Sequence, residues 1–252
     1  MNVAIFGGTF DPLHRGHLAV AQAAQERFHL GRIYFVPADV PPHKQRRPVT
    51  AFHHRYAMVA LGTAGHASFV PSLLEAPSPG ALRAPNYSLE TVRRLRASLP
   101  KRDRLFFLIG VDAFMEIGTW HKADELLQEV EFIVVSRPGY SLADLADALP
   151  EALRPAASIR RPFQGTPVDG DLVLGRVVIH ILPEVTEKVS ATQLRSAAAK
   201  GRSLGKLVPE PVAEYIRKMH LYRQAAEVAA PISARQSTKV ISIRHGKRKH
   251  SS

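Results

Sequence analysis

Two histidines three residues apart, His14 and His17, stand in the run Gly7-Gly8-Thr9-Phe10-Asp11-Pro12-Leu13-His14-Arg15-Gly16-His17. An imidazole can donate a hydrogen bond to an anion near neutral pH. Gly7 and Gly8 remove the side chains that would hold a nucleotide away from the backbone. Three other sets of residues suit the same task. Lys44, in Pro41-Pro42-His43-Lys44, can neutralise negative charge. Ser190, Thr192 and Arg195 set two hydroxyls and a guanidinium within about a turn and a half of a helix start, a second anion site. Asp112, just after Gly110, can accept hydrogen bonds from ribose hydroxyls, and spacing alone leaves a helix-capping role equally open. The shared chemistry is the holding of phosphate.

The elements around these residues follow from hydrophobic pattern. Asn2 to Phe6 reads as a buried strand ending in a tight glycine turn. From about Gly16, the pattern Leu18, Val20, Ala21, Ala24 and Phe28 reads as an amphipathic helix whose first turn carries His17. The unpaired N–H groups and dipole of that helix start favour an anion. Arg32 to Pro37 is a second strand, so strand, helix and strand make a right-handed crossover unit. The basic loop carrying His43 and Lys44 then falls at the carboxyl end of the second strand, on the rim where open parallel sheets bind ligands.

A helix over Phe52–Leu61 and a short strand Ser68–Val70 follow. Three prolines between Ala76 and Pro85 exclude a helix interior or a central strand there. Asn86-Tyr87-Ser88 offers a cap to a helix with Leu89, Val92, Leu95 and Leu99 as its buried stripe. Leu105 to Ile109 is the strongest strand, Asp124 to Gln128 a short helix, and Glu131 to Val135 a further strand closed by Arg137-Pro138-Gly139. Between residues 141 and 176 a helix over Ser141–Leu149 precedes what reads as an insertion or mobile loop. Val177 to Leu182 returns to strand, Ser190 caps the next helix, and Pro209 to Met219 is the last. The pattern is α/β: a Rossmann-like, doubly wound parallel sheet flanked by helices.

Composition sets limits. The 252 residues suit one large α/β domain or two small ones, and no run of 18 apolar residues supports a membrane span. The N-terminus lacks a signal-peptide layout, and the absence of cysteine excludes disulfides and thiolate zinc sites, which fits a cytoplasmic protein. The net charge is +12. From Ala225 onward six Lys or Arg face Glu227 alone, yet the body keeps +7. One domain over residues 1–222 and a basic, disordered tail over 223–252 are expected. Nucleic acid would meet that tail only non-specifically. The charge also admits a rival of another class, a polyanion-binding protein without catalysis. Oligomeric state is open, a homo-oligomer included.

The order of these motifs from Val3 to Tyr222 resembles the nucleotidyltransferases with a His-x-Gly-His signature, and among them the bacterial nicotinate-nucleotide adenylyltransferases. The pantetheine-phosphate adenylyltransferases, a sister family, usually have Thr at the place of His14 and are shorter. Two motifs depart mildly: the family's Ser-Tyr-Thr is Asn86-Tyr87-Ser88 here, and its Ser-Ser-Thr is Ser190-Ala191-Thr192. The resemblance implies transfer of an adenylyl group from ATP to nicotinate mononucleotide, with release of pyrophosphate, by in-line attack and without a covalent intermediate. Nicotinamide mononucleotide or phosphopantetheine is the alternative acceptor.

The resemblance also implies roles. His14, His17, Lys44 and Arg195 are the catalytic set. Gly7, Gly8, Thr9, Phe10, Gly110, Asp112, Arg137, Ser190 and Thr192 hold ATP. Asp11, His43, Tyr87, Ser88, Trp120 and His121 hold the mononucleotide, although a sole Trp is more often core or interface. Mg²⁺ is expected on the ATP phosphates, with no metal site made by the protein alone.

Overall fold

The computed structural model describes residues 1–39, 49–77, 86–164, 170–183, 185 and 189–223. Its strands are β1 (Asn2–Gly8), β2 (Leu30–Pro37), β3 (Phe69–Pro71), β4 (Arg104–Gly110), β5 (Glu131–Val135), β6 (Leu172–Leu174) and β7 (Val177–Leu182). They form one sheet in the order β3-β2-β1-β4-β5-β7-β6. Every neighbouring pair is parallel except β6 with β7. The chain builds outward from β1 to β2 and β3, then returns to the other side of β1 with β4. That reversal opens a crevice at the carboxyl ends of β1 and β4, the place for a ligand in such a sheet.

The central strands are buried on both faces, which is why they read as continuous apolar runs. Val3, Ile5, Leu105, Phe107, Phe132 and Val134 point to one face, and Ala4, Phe6, Phe106, Leu108 and Ile133 to the other. The first face is covered by α3 (Ser88–Ser98), α4 (Val111–Phe114), α5 (Ala123–Glu129) and α6 (Leu142–Ala148). The second is covered by α1 (Arg15–Phe28) and α2 (Phe52–Thr63). Completely burying side chains of this size is worth roughly 1.5–3 kcal/mol each, so the strand ends are held firmly. A third apolar cluster joins Met58 of α2 to Leu194 and Ala198 of α8 (Ala191–Ala199) and to Val212 and Ile216 of α9 (Glu210–Lys218). Among the described residues no helix is long and apolar enough to cross a membrane.

Three expectations need correction. Gly7 and Gly8 are the last residues of β1, paired with Val36 and Pro37, rather than a turn after it. Asn86 does not cap α3: Tyr87 is the capping position without a side-chain bond, and Asn86 Nδ2 donates to the Glu75 carbonyl at 3.3 Å. The segment after α6 carries more regular structure than a mobile loop. Short 3₁₀ turns at Glu151–Leu153 and Arg161–Phe163, α7 (Ala157–Arg160) and β6 occupy it. Leu172-Val173-Leu174 is too short to announce a strand; it becomes one because β7 presents a ladder for it to join. The proline-rich residues 78–85, residues 165–169 and the tail from 224 lie outside the described residues.

Candidate active site

The segment after β1 is fastened from several directions before any ligand is considered. Arg55 of α2, 1% exposed, donates from Nη1 to the Thr9 carbonyl at 2.8 Å, from Nε to the Thr50 carbonyl at 2.7 Å and from Nη2 to the Asp39 carbonyl at 3.3 Å. Asp11 receives the Tyr222 hydroxyl on Oδ1 at 2.7 Å and the Thr50 N–H on Oδ2 at 3.2 Å. Burial, then the adjoining Asp11, pushes the Tyr222 hydroxyl well above its ordinary pKa, so it stays a donor. Asp11 thus anchors the segment internally through both carboxylate oxygens. The Phe10 ring is 2% exposed and meets the His17 ring edge-on, with centroids 5.0 Å apart. A Cβ on Gly8 would lie 3.0 Å from Phe10 Cζ, so any larger residue there would have to shift the Phe10 ring.

His14 precedes α1 in extended backbone, and its N–H donates to His17 Nδ1 at 3.2 Å. The two rings stack with centroids 3.7 Å apart. Burial holds the His14 imidazole down at a pKa of about 4, so it is neutral at pH 7. The helix start itself offers fewer bare N–H groups than the sequence suggested. The Arg15 N–H donates to the Leu207 carbonyl at 3.0 Å and the His17 N–H to the His14 carbonyl at 3.0 Å. The imidazole rings, more than the backbone N–H groups, are thus the donors this helix start can offer.

The second anion site is brought against the first. Ser190 caps α8, its Oγ accepting the Gln193 N–H at 3.2 Å, as expected. Arg195 spans the gap: Nη1 donates to the Asp11 carbonyl at 2.7 Å while Nη2 donates to Thr192 Oγ1 at 3.3 Å. Thus residues 184 positions apart share one rim.

Beside this rim lies a cavity of about 770 Å³. Its floor is Ile5, Val36, Phe107 and Ile109; Gly7, Gly8 and Thr9 enter from one side. Tyr87, Ser88, Trp120 and His121, the expected mononucleotide residues, form its walls together with Asp112. Tyr87 and His121 stack at 4.1 Å, and Trp120 meets Phe107 edge-on at 6.1 Å. Asp112 opens α4 after Gly110, pairs with Arg137 and accepts the Tyr140 hydroxyl at 3.1 Å. Arg137, expected to touch ATP, is thereby tied to the residue expected to hold the ribose. His43 and Lys44 lie outside the described residues.

Sequence reading missed Arg55, Tyr222 and Glu75. Arg55 left a faint signal, since it sits at helical spacing from Phe52 and Val59 on the buried face of α2. Tyr222 left none, because its partner is 211 residues away. Glu75 followed a short edge strand with no pattern around it, yet it lines the cavity and takes the Thr91 hydroxyl at 2.7 Å.

A doubly wound sheet with paired imidazoles after its first strand and a cationic helix start facing them defines the α/β nucleotidyltransferases. Consistent with this, the cytidylyltransferase-like family model matches residues 5–197. A protein of Symbiobacterium thermophilum described as a probable nicotinate-nucleotide adenylyltransferase is 41% identical over 220 residues, covering 87% of this chain and 94% of its own. One of Pelobacter propionicus with the same description is 35% identical over 225 residues, covering 89% and 99%. The chain belongs to the nicotinate-nucleotide adenylyltransferase family. In fold it is similar to the nicotinic acid mononucleotide adenylyltransferase of Plasmodium falciparum, solved with NaAD, at a TM-score of 0.61 and 16% identity over 88% of this chain and 97% of that one.

Proposed function

We propose that this protein transfers the adenylyl group of ATP to nicotinate mononucleotide, giving nicotinate adenine dinucleotide and pyrophosphate in NAD synthesis. The observation that carries the reading is the Arg195 guanidinium on the Asp11 carbonyl at 2.7 Å. It joins a site for the departing phosphates to the segment bearing His14 and His17. A mononucleotide phosphate oxygen attacks the α-phosphorus, the bond from that phosphorus to the β-phosphate oxygen breaks, and pyrophosphate leaves. Both reactants are anions, so positioning and charge neutralisation are the main demands.

In this reading His17 and His14 donate to phosphate oxygens of ATP, Thr9 helps to hold them, and Ser190, Thr192 and Arg195 take the pyrophosphate. Lys44 approaches from the mononucleotide side, Asp112 holds the ATP ribose, and Tyr87, Ser88, Trp120 and His121 surround the pyridine ring. The donors on the phosphate rim are imidazoles, hydroxyls and a guanidinium, which suit phosphate oxygens better than a bare metal. Mg²⁺ would arrive on the β and γ phosphates of ATP and offset their charge. The catalytic unit is residues 1–222, with residues 223–252 outside it, and its setting is the cytoplasm, where ATP is held. Pyrophosphate release from ATP, measured with nicotinate mononucleotide, nicotinamide mononucleotide and phosphopantetheine in turn, tests the reading. Release chiefly with the first is expected; release chiefly with another, or with none, overturns it.

A further inference from the structure

Gly110 at the end of β4 stands opposite Val135 at the end of β5, so Asp112 and Arg137 leave the sheet side by side. The Asp112 backbone is fixed by its neighbours in α4, since Val111 and Phe114 are wholly buried. Its carboxylate is half exposed and turns freely unless something holds it. Arg137 Nη1 pairs with Oδ2, and the Tyr140 hydroxyl donates to Oδ1 at 3.1 Å. These two partners are unequal. The Arg137 side chain is 62% exposed and long, and an ion pair so open to water holds little. Tyr140 has only two side-chain torsions, and its ring packs on the apolar cluster that contains Val111 and Phe114. Its backbone leads straight into the cap of α6, where the Ser141 N–H donates to Asp144 Oδ2 at 2.7 Å and the Asp144 N–H to Ser141 Oγ at 3.2 Å. The hydroxyl is thus delivered by parts of the fold that do not depend on Asp112. The Asp112 carboxylate in turn holds that hydroxyl above its ordinary pKa, so it stays a donor.

We propose that Tyr140 is a positioning residue for ATP: its hydroxyl aims the Asp112 carboxylate at the ribose hydroxyls. The inference rests on the reading of Asp112 as the ribose holder given above. Asp112 lines the cavity and Tyr140 is not among the described residues that do, so the tyrosine acts on the carboxylate from behind. Each carboxylate oxygen has two lone pairs; Tyr140 and Arg137 take one on each, which leaves one on each for a ribose hydroxyl. Fixing the carboxylate before ATP arrives removes a rotation that binding would otherwise have to freeze. The ribose lies away from the reacting phosphorus, so this help is the same in the bound state and in the transition state. It belongs in KM and not in kcat.

The test is KM and kcat for ATP, 2′-deoxy-ATP and 3′-deoxy-ATP at saturating nicotinate mononucleotide, in the parent, Tyr140→Phe, Asp112→Ala and the double variant. Tyr140→Phe keeps the ring on the core and removes only the hydroxyl. It should raise KM for ATP about fivefold and leave kcat within about twofold. With whichever deoxy nucleotide the parent uses at the higher KM, the rise should shrink to within about twofold, and in the Asp112→Ala background it should vanish. An unchanged KM for ATP in Tyr140→Phe overturns the inference, as does an equal rise with all the nucleotides, the sign of a merely structural role. A rise that persists in the Asp112→Ala background also overturns it, because Tyr140 would then touch ATP itself. If Tyr140→Phe does not fold, Tyr140→Leu, which also lacks the hydroxyl, is read against the same outcomes. A raised KM in Asp112→Ala with none in Tyr140→Phe defeats this inference alone; an unchanged KM in Asp112→Ala defeats the ribose reading beneath it as well.

Discussion

The backbone N–H of His14 donates to His17 Nδ1 at 3.2 Å, and the two rings stack at 3.7 Å. Because Nδ1 accepts, Nε2 is the ring nitrogen that carries a proton, and in the proposed reaction it is the atom that donates to phosphate. Phe6 and Phe10 stand edge-on to the same ring, at 6.1 and 5.0 Å, and restrict its rotation. Its direction is set before substrate arrives. In a reaction between anions such preorganised donation acts mainly on the transition state. His17→Ala is therefore expected to lower kcat by about 100-fold or more while KM for ATP changes by less than about threefold. Steady-state pyrophosphate release measures both, and a kcat within a few-fold of the parent would remove His17 from the charge-stabilising role.

His14 links the site to acid stability. Its folded pKa of about 4 lies below the ordinary 6.5 of an unfolded chain. Above pH 6.5 neither state binds the proton, and the ring contributes its full share. Between 6.5 and 4 the unfolded chain takes up a proton that the buried ring refuses, so stability falls with falling pH by about 3 kcal/mol. Urea unfolding at pH 7 and pH 4.5 should show His14→Asn losing clearly less on acidification than the parent. Equal losses would mean that His14 accepts protons freely in the folded protein.

Trp120 meets Phe107 on the cavity floor and stands next to His121, whose ring stacks on Tyr87. Replacing its ring removes a wall of the proposed mononucleotide pocket and leaves the phosphate rim intact. Trp120→Ala should raise KM for nicotinate mononucleotide roughly tenfold, with KM for ATP little changed, given the 1–3 kcal/mol that a stacking partner commonly supplies. The reverse pattern would assign the ring to the ATP side.

Tyr222 closes the domain by donating to Asp11 at 2.7 Å. Tyr222→Phe leaves one oxygen of a buried carboxylate without its donor and is expected to cost about 2 kcal/mol in chemical unfolding. Removal of residues 224–252 should leave kcat/KM within about twofold, since the residues assigned to the proposed site, Gly7 to Arg195, all precede them. Loss of activity in the shortened chain, or no change in Tyr222→Phe stability, would contradict this boundary.

What the sequence determined by itself is local. The apolar run Leu105 to Ile109 had to be a buried strand, and the 3.6-residue spacing of Leu18, Ala21 and Ala24 had to be a helix packed on one face. The Ser190 cap was legible because its partner is Gln193, three residues on. Glycines next to paired histidines pointed to a proposed phosphate rim for the same reason: spacing within a dozen residues fixes their neighbourhood. Tertiary structure alone decided which residues of that neighbourhood face a ligand. Asp11 carries no local sign of its anchoring role, which comes from Tyr222, Thr50 and Arg195 all reaching its carboxylate or carbonyl. Glu75 drew no reading from the sequence, and it becomes a half-buried group of the cavity because Thr91 and Asn86 bond to it. Periodicity encodes the face that a side chain takes within its own element; burial, pKa and hydrogen-bond partners come from elements distant in the chain, and only folding brings those together.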